Sequence, residues 1–200
     1  MNFKIIGQLA GAALLTVGLA GCMDVTMDVA IHSETEGKAT TTMTMGSDFY
    51  AMAKSGMAQE GSEGGFCDEE GAVLTENEDG SATCVMVSEG TFDELKTGES
   101  ADDGAKFEVV GPGLVRASFS TKEMTGELGG DQQDDETKAM MQAFFEGQFV
   151  TLRVSGNEVV ETNMTLAEDK KSAEQVIPFL DLINNTVELP DELYAIVKTN

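Results

Sequence analysis

A single histidine, three cysteines and no tryptophan in 200 residues leave little material for several common chemistries. A Ser-His-Asp arrangement has only His32 to draw on. Gly-x-Ser-x-Gly and a Walker-type phosphate loop are both missing. The spacing of Cys22, Cys67 and Cys84 matches no four-ligand zinc pattern, and His32 alone is available to complete one. Cations are scarce too: 12 lysines and arginines face 36 acids, for a formal charge of −24. Nucleic acid is thereby excluded, because binding phosphates along a backbone needs a basic face. Electrostatic docking on anionic lipid headgroups is disfavoured for the same reason. So many acids guarantee close carboxylate pairs, and a close pair therefore says nothing about catalysis. The chain reads as a non-enzyme without a cofactor, and His32 as an ordinary polar residue at a strand end.

Long apolar runs are also lacking, apart from one at the start. MNFKIIGQLAGAALLTVGLAGC carries one cation, Lys4, and then an apolar stretch from Ile5 to Ala20. At about sixteen residues it is short for a hydrocarbon core of about 30 Å. Its charged head, apolar middle and small-residue exit are those of a secretory signal. Leu19-Ala20-Gly21-Cys22 resembles the lipobox of bacterial lipoproteins. That resemblance implies removal of residues 1–21, a diacylglycerol on the Cys22 thiol and an acyl chain such as palmitate on the new amine. Several acyl chains anchor a protein stably without a spanning helix. Loss of Lys4 with the leader makes the mature chain one unit more acidic. Residues 22–200 are expected to form a single periplasm-facing domain. Met23 rather than Asp after Cys22 favours the outer membrane of a diderm envelope.

With Cys22 lipidated, Cys67 and Cys84 remain, outside the cytoplasm where disulfides persist. A bridge between them closes a loop of about 17 residues and contributes on the order of 3 kcal/mol. Residues 60–104 then read as a disulfide-pinned insertion.

In MDVTMDVAIH, Met23, Val25, Met27, Val29 and Ile31 alternate with polar positions, the period of a half-buried strand. Residues 39–45 (ATTTMTM) alternate again, and the two predict a hairpin. Ser47 caps a short helix carrying Phe49, Tyr50 and Met52. Short strands follow over 72–76 and 82–87 around Asn77-Glu78-Asp79-Gly80, then a capping box from Thr91 to Glu94. Hairpins are expected over 105–120 and over 149–166, the latter about Gly156-Asn157. Asp134 to Glu146 predicts the main amphipathic helix, with acids at its start and Gly147 as its stop. Pro178 begins a short helix, and 193–198 is a last strand. The fold class is α+β: antiparallel β-hairpins forming a sheet of seven or eight strands, with one main helix packed on it.

Cys22 leading into MDVTMDVAIH, then ATTTMTM, then VTLRVSGNEVVETN, together resemble the mycobacterial lipoprotein M (LppM) family. The resemblance covers about a quarter of the mature chain and rests on strand patterns with glycine turns. It implies an envelope-attached α+β domain that contacts lipid or glycolipid. The acidic charge and the Cys67–Cys84 segment depart from the family.

Candidate ligand-binding residues are Met140, Met141, Phe144 and Phe145, which form one stripe of the 134–146 helix. Soft side chains there suit an irregular apolar ligand. The alternative is a periplasmic metal-binding protein. Thr75 to Gly80 has Asn77 and Asp79 at calcium-loop offsets, but Thr75 and Met86 stand where acids are needed. Met23, Met27, Met43 and Met45 offer thioethers suited to copper(I). On strands, the same methionines serve a core. The reading is a lipid-anchored, non-catalytic binding or envelope-maintenance module. Cys22→Ser is expected to abolish incorporation of radiolabelled palmitate and to leave the leader uncleaved. Labelling that persists in the variant would place the lipid elsewhere or remove it from the account.

Overall fold

The computed structural model describes residues 23–60, 66–95, 97, 104–122, 142, 145–184 and 186–199. The 1–21 leader, Cys22, Met140, Met141 and Phe144 lie outside these residues, as does most of the helix expected over 134–146.

The described residues form an α+β fold of two sheets. Strands β1 (Met23–Ile31), β2 (Glu36–Met45), β3 (Val73–Glu76), β4 (Ala82–Thr91), β7 (Phe149–Ser155), β9 (Thr165–Leu166) and β10 (Ser172–Pro178) make the larger one, in the order β3-β4-β2-β1-β7-β10-β9. The smaller contains β5 (Lys106–Gly111), β6 (Leu114–Ser120), β8 (Glu158–Thr162) and β11 (Glu192–Lys198), ordered β5-β6-β11-β8. Helix α1 (Ser47–Glu60) follows β2, and helix α2 (Phe179–Ile183) follows β10.

The β1–β2 hairpin pairs from Met23↔Met45 to Ile31↔Gly37, so both alternating stripes face the same way. β4 continues the sheet, pairing with β2 over ten residues from Met45↔Ala82 to Glu36↔Thr91. Asp79 closes the β3–β4 turn by accepting hydrogen bonds from the Ser81 amide (3.0 Å) and hydroxyl (2.6 Å). The capping box is present, with Glu94 accepting from the Thr91 amide (2.9 Å) and hydroxyl (2.8 Å), but it opens one 3-10 turn, Phe92–Glu94.

Three expectations are corrected. Among the described residues the strands number eleven in two sheets, rather than seven or eight in one. The helix after Ser47 runs 14 residues, Ser47–Glu60. Residues 149–166 do not form a hairpin: β7 lies between β1 and β10, whereas β8 pairs with β11 in the other sheet. The chain changes sheets at Gly156. An added Cβ there would lie 2.3 Å from Val197 Cγ1 and 3.2 Å from the Ile31 carbonyl oxygen. Close approach to β11, rather than a hairpin turn, is therefore what this glycine allows.

β1 and β7 run parallel, in register from Val25↔Val150 to Ala30↔Ser155. The other strand pairs described are antiparallel. Val29, Val154 and Ala173 of the large sheet meet Val115, Ala195 and Val197 of the small one in the main core. A second, smaller cluster joins Met45, Tyr50 and Ala82 at the far end of β2.

Leu193 is 1% exposed in the main core. Leu193→Ala is expected to cost about 2–5 kcal/mol in urea denaturation. Gly156→Ala should also destabilise the fold, because Val197 and the Ile31 carbonyl occupy the space its methyl needs. A Gly156→Ala variant as stable as the parent would refute the close approach as the reason for glycine here.

Candidate functional site

The described residues cover the inner face of the large sheet unevenly. The small sheet covers β1 at Val29 and Ile31, and α1 covers β2 and β4 at Met45 and Ala82. Between the two clusters lies a band made by Met27 of β1, Thr41 and Met43 of β2, and Met86 of β4. Pairing of Thr41 with both Met27 and Met86 puts these side chains on one face of three adjacent strands. All four are half-buried. They floor a groove of about 380 Å³, whose rim carries Glu69, Glu70, Ser88 and Thr97.

A second cavity of about 300 Å³ shares Met43, Glu69 and Met86 with the first and extends to Phe66 and the Cys67–Cys84 bridge. Cys84 is buried in β4 and bonded to Cys67, with the two Cα atoms 5.6 Å apart. Phe66 packs edge-on against Tyr50, ring centroids 6.3 Å apart. The bridge and this aromatic contact hold the segment with Glu69 and Glu70 against the sheet as the groove's wall. Tyr50 is tied down in turn, its hydroxyl donating to Glu76 (2.8 Å), which also pairs with Lys54. Hydrogen bonding to Glu76 holds the Tyr50 phenol above its ordinary pKa, and the Lys54 and Tyr50 bonds hold Glu76 below the usual carboxylate range.

Among the described residues, the most strongly shifted carboxylate lies elsewhere. Glu192 receives two hydrogen bonds from the Arg116 guanidinium, at 2.8 and 2.7 Å, and its pKa falls from 4.5 to about 2. Arg116 also lies over the Tyr194 ring, 4.3 Å from its centroid, and the Tyr194 hydroxyl donates to Glu161 (2.8 Å). These groups are on neighbouring strands of the small sheet, on the face away from the buried Val115, Ala117 and Ala195. The network braces β6 against β11.

Among the sequence candidates, Phe145 is described, and its ring stacks on Phe179 of α2 at 4.5 Å, packed against the main core. Of the copper candidates, Met27 and Met43 line the groove, whereas Met45 is buried in the smaller cluster with Met23 packed beside it. Asn77 and Asp79 are engaged in the β3–β4 turn: the Asn77 amide donates to the Ser81 and Thr83 hydroxyls at 2.8 and 3.1 Å. Among the described residues, no group of three or more His, Cys, Asp and Glu side chains is placed to hold a metal ion. Met86 and Thr41 escaped sequence reasoning. The signal was the shared parity of Ala82, Cys84 and Met86, which a strand turns into a shared face.

No protein-family model matches this chain, and no curated protein matches it. A solved structure is similar. The folded domain of the LppM protein of Mycobacterium tuberculosis, determined by NMR, aligns over 90% of this chain and 91% of its own, at 12% identity and a TM-score of 0.45. This is a distant likeness in the course of the chain, and it assigns no role to any residue.

Because Glu192 has a folded pKa below its ordinary value, its stabilisation is fully present above the ordinary carboxylate range. It is lost as pH falls from about 4.5 towards about 2. Arg116→Gln is expected to lower stability at neutral pH and to narrow its deficit against the parent across that window. A deficit in urea denaturation that does not change with pH would show that Arg116 acts through packing alone.

Proposed function

We propose that this chain is a lipid-anchored cell-envelope lipoprotein that binds an apolar or amphipathic molecule in the Met27–Met43–Met86 groove and performs no catalysis. The observation that carries the reading is a concave, methionine-floored band that the described residues leave uncovered between two cores. Apolar surface left half-exposed at the centre of a sheet gains about 25 cal/mol for each Å² that a ligand covers. Methionine adapts to irregular shapes, and the volume lies at the small end of the range for ligand sites. The rim narrows the ligand class. Glu69 and Glu70 repel an anionic headgroup, and the apolar floor suits an uncharged molecule. A neutral lipid or a glycolipid fits that combination better than an acidic phospholipid.

In this reading Cys22 carries the acyl anchor, one residue before β1, and holds the groove near the outer membrane's periplasmic surface. Met140, Met141 and Phe144 are proposed to add apolar contact to the same ligand. Phe145 is proposed to hold their segment against α2. A soft-metal reading draws on the same three thioethers, which suit copper(I).

Binding is tested with a fluorescent neutral lipid and the full chain in detergent. Met43→Gln and Met86→Gln should each weaken binding by about tenfold, and together abolish it, with the melting temperature within a few degrees of the parent. Reducing the Cys67–Cys84 bridge should weaken binding too, because it frees the groove wall. Unchanged lipid binding in the double variant would remove the groove as the site. A rise in melting temperature with copper(I), but none with lipid, would favour the metal reading.

A further inference from the structure

A second cleft, on the other side of the large sheet, has a different chemistry. Arg153 follows Leu152 in β7, so it points away from the main core. The next outward row of the sheet is made of small side chains: Ala30 of β1 is in register with Ser155 of β7, which is in register with Ser172 of β10. These small residues floor a cleft of about 580 Å³, whose lining also includes Arg153, His32, Asn157, Asp169 and Lys171. In a chain of charge −24, one of its two arginines, a lysine and its one histidine converge on this space. Lys38 lies one strand further out, in register with Ala30.

Of the acids nearby, Asp28 and Asp169 are engaged, whereas Glu174, in register with Arg153 on the same face, adds negative charge beside the guanidinium. Asp28 pairs with Arg153 (Nε to Oδ2, 3.5 Å) and accepts a hydrogen bond from the Ser155 hydroxyl (3.3 Å). Asp169 accepts from the Lys171 amide at 3.0 Å. The Lys171 ammonium and the His32 imidazole have no hydrogen-bond partner among the described residues. Lys171 is held in place by its main chain. Lys170 adopts φ 58°, and its carbonyl accepts from Val159 N at 2.7 Å, while the Lys171 carbonyl accepts from Gly156 N at 3.0 Å. Asp28 and Ser172, the latter accepting from Arg153 Nη2 at 3.3 Å, orient the guanidinium.

We infer that this cleft binds a phosphate oxyanion, with Arg153, Lys171 and His32 as its donors. A point-charge ammonium and a planar guanidinium lining one cleft suit tetrahedral oxygens, and charge-assisted hydrogen bonds are the strong ones. The volume accommodates a phosphate with a small polar group attached. The acidic surroundings offset long-range attraction, so binding rests on these contacts and falls in the millimolar range. The inference is independent of the apolar groove, which opens on the opposite face.

The test is an NMR titration of the full chain in detergent, following the amides of Gly156, Asn157 and Lys171 and the His32 ring. The probes are inorganic phosphate, glycerol phosphate and a short-chain phosphatidylglycerol. Saturable shifts confined to these residues are expected. Response to the soluble probes identifies a free phosphate or phosphate ester as the ligand, and response to the lipid alone identifies a headgroup phosphate. Lys171→Gln should weaken binding by about tenfold, and His32→Gln combined with it should abolish binding. Both side chains are exposed, so the folded state should survive, as unchanged core amide shifts would verify. No saturable shift with any probe, or undiminished binding in the double variant, would overturn the inference.

Discussion

The parallel pairing of β1 with β7 is the contact on which the large sheet depends. On one side lie β2, β4 and β3, which follow β1 in sequence. On the other lie β10 and β9, which follow β7. Among the described residues, the two halves share backbone hydrogen bonds in this sheet only across that seam. Its start is stitched by side chains as well. The buried Gln148 accepts a hydrogen bond from the Met23 amide at 2.7 Å, and Asp24 accepts from the Phe149 amide at 2.9 Å, in each case across 125 residues. Closing so long a loop costs entropy, which is recovered only when Val29 and Val154 are buried together against the small sheet.

Both surfaces proposed for binding border this seam, on opposite faces. Met27 projects from β1 to the inner side, into the gap that the described residues leave between the two cores. Arg153 projects from β7 to the outer side, over a row of small residues. A strand's period of two separates the faces, so neighbouring positions serve an apolar groove and a cationic cleft without sharing a side chain. The Cys67–Cys84 bridge adds a wall to the first face, and the Ala167–Ser172 turn adds one to the second. In each case a segment outside the sheet is fastened by few bonds, and the sheet supplies the rigidity.

Much of the fold was legible locally. Alternation placed β1, β2, β5, β6 and β11, Pro178 marked the start of α2, and Asn77 to Gly80 marked the β3–β4 turn. The failure at 149–166 has a plain cause. Gly156-Asn157 between two alternating segments has the signature of a hairpin. Nothing within those residues reveals that Val197, forty-one positions after Gly156, occupies the space beside it and sends β8 into the other sheet. The sites were less legible than the strands. Met27 and Met43 were recognisable as lying on one face, but whether that face is covered depends on where α1 and the small sheet end. Arg153 and Lys171 are unremarkable singly, and only the register of Ser155 with Ser172, two residues from one and next to the other, brings them to one cleft.

The sequence by itself determined the acidity, the shortage of catalytic and metal-ligating side chains, the strand periodicity and the mixed α+β class. These follow from composition and from interactions among near neighbours. Tertiary structure alone decided which strands pair, that one pair is parallel, and which faces stay open. Many strands in this chain share the same alternating pattern, so pattern cannot choose among partners. The choice falls to the arrangement that buries the inward faces together, a property of the whole chain and of no segment within it.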